Sequence, residues 1–142
     1  MIYLILKKLY RFKLLKRIVP SLLRYFGGKT KIKIFNFDFY IYLQNSIERE
    51  IFLNNSYDYD RFLFLEKYIN KFKFDYFFDI GSYTGYYSLY FSKNSFIRNI
   101  ISFEPNLLNF NKLIENIKLN NLNIITHNFA CSDEEGDAII WF

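Results

Sequence analysis

The chain has 142 residues, 51% of them hydrophobic, enough for one domain with a core and too few for several. Aromatics reach 23%, but they come with abundant Ile, Lys and Asn, a bias that an AT-rich coding sequence produces without selection for stacking, so no nucleic-acid partner is expected. The net charge of +5 is uneven: residues 1–33 carry ten Lys or Arg and no acid, whereas nine bases face fourteen acids in residues 34–142, leaving that body at −5.

A basic arm on an acidic body points to an anionic partner for the arm alone. The single cysteine, Cys131, excludes an intrachain disulfide and predicts a reduced, cytoplasmic location. No uncharged run approaches the roughly 20 apolar residues that span a bilayer. MIYLIL is followed at once by Lys7 and Lys8, the reverse of the order in a secretory signal.

Residues 2–26 read as helix, interrupted or ended near Pro20. Ile2, Ile5, Leu6, Leu9 and Phe12 share one helical face, but beyond Phe12 the phase flips and Lys13, Lys16 and Arg17 fall on it. Two short helices fit better than one, and residues 1–26 are a candidate for peripheral membrane contact. Gly27-Gly28 ends the helix. GGKT is not a phosphate loop, because Leu23 stands where the first glycine of that motif belongs and no helix is expected after it. Residues 31–43 read instead as two strands around a turn near Asn36. Residues 46–56 suggest a short helix or loop. Asp60 is a candidate cap for the helix that follows, with Phe62, Leu65 and Ile69 at helical spacing.

From residue 75 the pattern is regular. DYFFDI is a strand; Gly85 to about Ser92 is a helix that should bury Tyr86, Leu89 and Tyr90. NIISF (99–103) is a second strand. Asn106 can cap a second helix, whose apolar face would be Leu107, Phe110, Leu113, Ile114 and Ile117. NIITHNF (123–129) is a third strand, CSDEEGD a polar turn, and AIIWF (138–142) a further strand-like run. Alternating strands and helices predict an α/β fold with a parallel sheet. The expected organisation is a basic helical arm over 1–30, a hairpin and helix over 31–74, and the ligand-binding part over 75–142.

Two of the five glycines, Gly81 and Gly85, stand four apart just beyond the first of these strands. Ligands of open parallel sheets bind outside the carboxyl ends of the strands. Gly81 allows a turn with unusual backbone angles, and Gly85 lets the next helix start close to the sheet. Glu104, 25 residues after Asp79, ends the second strand, where a carboxylate can accept both hydroxyls of a ribose. The spacing G-x-x-x-G, with Tyr83 inside it, departs from the G-x-G-x-x-G of nicotinamide sites. Asp79 would repel a pyrophosphate but could hold an ammonium group. S-adenosylmethionine carries an ammonium and a sulfonium and no phosphate, so the charges favour it. Lone His127 reads as structural and Cys131 as a loop thiol.

FDIGSYTGYYSLYFSK, IISFEPNLLNFNKLIENIKLNNL and NFACSDEEGD, in that order, resemble FkbM-type S-adenosylmethionine-dependent methyltransferases over about residues 45–142. Ser82 and Tyr83 replace the alanine and asparagine usual in that family's first loop. The resemblance implies a Rossmann-like class I methyltransferase fold. It places Asp79, Gly81, Ser82, Tyr83 and Gly85 around the methionine end of the cofactor. Glu104 would lie on the ribose, with Pro105 shaping the turn, and Asn128 and Ala130 near the adenine. It also implies O-methylation of a sugar, glycan or other small-molecule hydroxyl acceptor. That family's later strand motif, lysine–x–aspartate–x–glutamate–glycine, is not found here. The expectation is therefore a domain incomplete at its C-terminus, with weak or no catalysis alone and a missing C-terminal half as a partner. Two alternatives stand beside it: a non-enzymatic pairing module that docks a partner on the open edge of strand 76–80, and a nicotinamide enzyme, which the glycine spacing disfavours.

Overall fold

The computed structural model describes residues 2–137, as two compact units that divide between Tyr59 and Asp60. The run 138–142, expected as a strand, lies outside the described residues.

The first unit begins with α1 (Ile2–Leu9), a 3₁₀ turn over Lys13–Leu15 and α2 (Ile18–Phe26). The break falls where the apolar phase flips. Pro20 does not end a helix: it lies in the first turn of α2. The N–H that proline lacks would have no intrahelical partner there, and the fixed φ of proline suits a helix start. Gly27 ends α2 because nothing larger fits: an added Cβ would meet the Leu23 carbonyl oxygen at 2.2 Å and the Leu43 Cβ at 2.6 Å. Strands β1 (Lys29–Ile34) and β2 (Phe37–Tyr42) then form an antiparallel hairpin in which Ile34 pairs with Phe37. Both turn residues, Phe35 and Asn36, have positive φ, as a two-residue hairpin loop requires. A strand starting at Lys29, where a phosphate loop would be followed by a helix, agrees with rejecting that motif. Phe37, Phe39 and Ile41 alternate inward along β2. Asn45 caps α3 (Ser46–Asn54), accepting from the amides of Ile47 and Glu48.

The second unit contains α4 (Tyr59–Phe72), β3 (Tyr76–Ile80), α5 (Tyr86–Phe91), β4 (Asn99–Phe103), α6 (Leu107–Leu119) and β5 (Ile125–His127). It is α/β, with the three strands parallel in the order β3-β4-β5. Asp60 is not the cap of α4; the helix already includes Tyr59, and Asp60 lies in its first turn, where a carboxylate favours the positive end of the dipole. Phe62, fully buried, stacks on Tyr87 and Tyr90 of α5 with centroids 4.4 and 4.3 Å away. Such pairs add about 0.5–1.5 kcal/mol to the burial itself.

The other two helices bury more polar surface than their apolar spacing predicts. α5 buries Ser88 and Phe91 as well as Tyr86 and Leu89, while Tyr90 is half-buried. α6 starts at the expected cap, Asn106, whose side chain accepts from the amides of Leu108 and Asn109. Its buried line is Leu113, Asn116 and Ile117; Leu107 is exposed, and Phe110 and Ile114 are half-buried. The face is rotated toward Asn116 because that amide has a buried partner, the Thr84 carbonyl.

Along β3 and β4 the inward residues include Asp79, Ile100 and Ser102. Tyr76, Phe78 and Ile80 of β3, with Ile125 and Phe129 at β5, are exposed. Parallel sheets ordinarily carry cover on both faces, so this apolar face is unusual.

Candidate functional site

The carboxyl ends of β3, β4 and β5 are joined by a continuous set of hydrogen bonds, and most of the predicted residues lie along it. As β3 ends, the amides of Gly81 and Ser82 both donate to the Phe103 carbonyl, at 2.9 and 3.0 Å. The next N–H, that of Tyr83, donates to Glu104 Oε2 at 2.8 Å. Gly85 closes the turn by donating to the Ser82 carbonyl at 2.8 Å. The turn alternates: Gly81, Tyr83 and Gly85 are left-handed, with φ of +79°, +51° and +85°. For Gly81 this backbone angle is the whole reason for glycine, since a Cβ there would meet nothing within 4 Å. For Gly85 there is a second reason, because its Cβ would lie 2.7 Å from Leu113 Cδ1 and 3.0 Å from Leu89 Cδ1. The close approach at Gly85 is to side chains of α6 and of α5 itself, where the sheet was expected.

Glu104 stands at the centre of this edge and is only 6% exposed. Its Oε2 takes the Tyr83 amide and its Oε1 takes the Asn106 amide at 2.9 Å, so the carboxylate bridges the glycine turn and the start of α6. Its own N–H donates to the His127 carbonyl at 3.0 Å. Asn128 Nδ2 donates back to the carbonyls of Glu104 (2.7 Å) and Pro105 (3.2 Å). A carboxylate has about four lone-pair sites. The two backbone donors fix the orientation of Glu104 and leave a further lone-pair site on each oxygen.

Asp79 is placed differently from the rest. It is 9% exposed, and its Oδ2 accepts from the Ser88 amide at 3.0 Å and from the Ser88 hydroxyl in a short contact. Ser88 Oγ in turn lies 2.7 Å from Ser102 Oγ on β4. The carboxylate therefore fastens the first turn of α5 to the sheet from inside. Burial pushes the Asp79 pKa up, the Ser88 bonds oppose the shift, and the negative charge of Glu104 adds to it.

Pro105, Asn128 and Ala130 line one open pocket of about 490 Å³ beyond β4 and β5, together with Phe129 and the acidic turn Glu134–Asp137. That volume is in the range of small-ligand sites. Beside it Phe103, His127 and Phe129 form a ring cluster, with Phe103 and His127 stacked at 5.2 Å. Eight of the nine predicted residues thus meet in one hydrogen-bonded edge or one pocket: Gly81, Ser82, Tyr83, Gly85, Glu104, Pro105, Asn128 and Ala130. Gly85 also serves helix packing, and Asp79 serves the support beneath.

Sequence reading missed Ser88, Ser102, Asn116 and Phe129. Ser88 sits at the third position of a helix that follows a strand-borne acid, which is a usable signal; a serine in mid-strand and an asparagine in mid-helix carry none. Among the described residues, no three His, Cys, Asp or Glu side chains gather as a metal site. No protein-family model, curated protein or solved structure matches the chain.

Proposed function

We propose that the second unit is the cofactor-binding part of an S-adenosylmethionine-dependent methyltransferase acting on a hydroxyl acceptor such as a sugar. The observation that carries this reading is the Glu104 carboxylate, held between the Tyr83 and Asn106 amides at the carboxyl edge of adjacent parallel strands. A nucleoside cofactor fits there on two counts: Glu104 keeps acceptor capacity for two hydroxyls, and the pocket at Pro105, Asn128 and Ala130 opens next to it. Among the described residues that line the pocket, Glu134, Glu135 and Asp137 are acidic and none is basic, which disfavours a diphosphate there.

When bound, the cofactor would supply a methyl group on a positively charged sulfur. The residues of this chain bind and orient: Glu104 the ribose, the turn 81–85 the chain beyond it, Asn128 the wall of the base pocket through its hold on the Glu104 and Pro105 carbonyls. Charge is lost in such a transfer, so fixed distance and alignment carry most of the rate.

Isothermal titration with S-adenosylhomocysteine tests this. The wild-type chain should bind, and Glu104→Gln, with unchanged circular dichroism, should bind about tenfold or more weakly. Equal binding by both, or binding of a nicotinamide dinucleotide in its place, would refute the reading.

A second reading, a pairing module, is favoured by one observation: β3 is an edge strand among the described residues, and its Tyr76, Phe78 and Ile80 are exposed. It predicts no adenosine-ligand binding by either protein and self-association that Phe78→Ser abolishes.

A further inference from the structure

The structure assigns a second surface to the first unit: we propose that α1, α2 and the connection between them dock on an anionic lipid bilayer. The surface does not depend on the reading of the cofactor edge.

Its inner side is fixed. Val19 and Leu23 of α2 are buried, the Tyr3 hydroxyl accepts the Gly28 amide at 3.0 Å, and Lys7 Nζ donates to Asn55 Oδ1 while lying 4.8 Å from the centroid of the Phe52 ring. Burial lowers the Lys7 pKa, with the nearby Arg11 adding to the effect. Among the described residues of the arm, Lys7 is the cation that is not exposed. The apolar side chains left outside are therefore exposed on a packed element and not on a frayed end.

The outer side combines two properties seldom found together. In the connection, Phe12 is 63% and Leu14 89% exposed, and Ile18 opens α2 in the same state. Arg11, Lys13, Lys16 and Arg17 alternate with them and are all exposed. No acid occurs anywhere in residues 1–33. At the other end of the helices an apolar cavity of about 250 Å³, lined by Ile2, Leu6, Leu22, Leu23 and Phe26, opens between α1 and α2. Exposed apolar groups gathered in this way, interleaved with cations alone, mark an interaction surface. Nucleic acid would use the cations but not Phe12, Leu14 or the cavity. Anionic headgroups over an acyl layer use both, the cations at the phosphate level and the apolar tip just beneath it. No described helix is long and apolar enough to cross a membrane, so contact would be at the surface.

Cosedimentation of the full chain with vesicles tests the proposal, using about 30% phosphatidylserine in phosphatidylcholine against phosphatidylcholine alone. The chain should sediment with the first and not the second, and should be released by about 0.5 M NaCl. Two variants, Phe12→Ser with Leu14→Ser, and Lys13→Gln with Lys16→Gln and Arg17→Gln, change only exposed side chains and should keep the wild-type circular dichroism. Each should weaken binding by about tenfold or more. Failure to sediment, equal binding to neutral vesicles, or indifference to the Phe12/Leu14 variant would overturn it. So would salt-sensitive binding to an RNA oligonucleotide that competes with the vesicles and survives that variant.

Discussion

Substituting alanine at Gly85 and at Gly81 separates the two demands that the turn makes on its glycines. The backbone angles are nearly the same, φ +85° and +79°, so the left-handed penalty should be nearly the same, about 1–2 kcal/mol for an L-residue. The surroundings differ. A methyl at Gly81 meets nothing within 4 Å, whereas one at Gly85 lies 2.7 Å from Leu113 Cδ1 and 3.0 Å from Leu89 Cδ1. Both leucines are fully buried and cannot swing outward. Overpacking of this kind costs about 1–3 kcal/mol. Gly85→Ala should therefore destabilise by about 2–5 kcal/mol and Gly81→Ala by about 1–2 kcal/mol, measured by urea unfolding followed by circular dichroism. Leu113→Ala normally costs about 2–5 kcal/mol. In the Gly85→Ala background it should cost less, because it removes the collision, and the coupling should be about 1–3 kcal/mol. Equal losses at the two glycines, or strict additivity of Gly85→Ala with Leu113→Ala, would refute the packing explanation and leave backbone strain alone.

Asp79 sets a pH dependence. Unfolded, it titrates near its ordinary value of 3.8; folded, burial raises it. The folded chain then binds the proton more tightly, so the stability this residue contributes is present below the unfolded value and falls as pH rises through the folded one. Asp79→Asn keeps an acceptor for Ser88 and removes the titration. Melts between about pH 4 and pH 7 should show the variant gaining on wild type as pH rises, and a constant gap would contradict this. Asn116→Leu takes the Nδ2 donor, 3.0 Å away, from the buried Thr84 carbonyl and should cost about 1–3 kcal/mol. It should also speed hydrogen exchange at the Gly85 amide, which closes the turn. Slow exchange there in the variant would mean that α6 does not hold the turn.

The strand–helix alternation was legible because each element states itself locally. YFFDI, NIISF and the Asn106 cap appear in the structure where their patterns put them. The turn was legible from two glycines, and Glu104 from its place at a strand end. What sequence spacing cannot show is which polar side chain turns inward. Ser88, Ser102 and Asn116 look like solvent-facing residues in their own elements, and each is fully buried because a partner from another element meets it. Asp79 illustrates the same limit: an acid ahead of a glycine turn suggests a ligand contact, yet whether its carboxylate faces forward or back onto α5 is decided by Ser88, nine residues on. Pro20 and Asp60 mislead in another way, since proline and aspartate are at home both at the edge of a helix and in its first turn.

The most direct test of the proposed cofactor site is a ¹⁵N–¹H correlation spectrum of the chain titrated with S-adenosylhomocysteine. The account predicts saturable shifts at residues 81–85, at Glu104 and Asn106, and at residues 128–130, led by the Tyr83 and Asn106 amides that grip Glu104. A spectrum that does not change, or shifts confined to residues far from that edge, would contradict it.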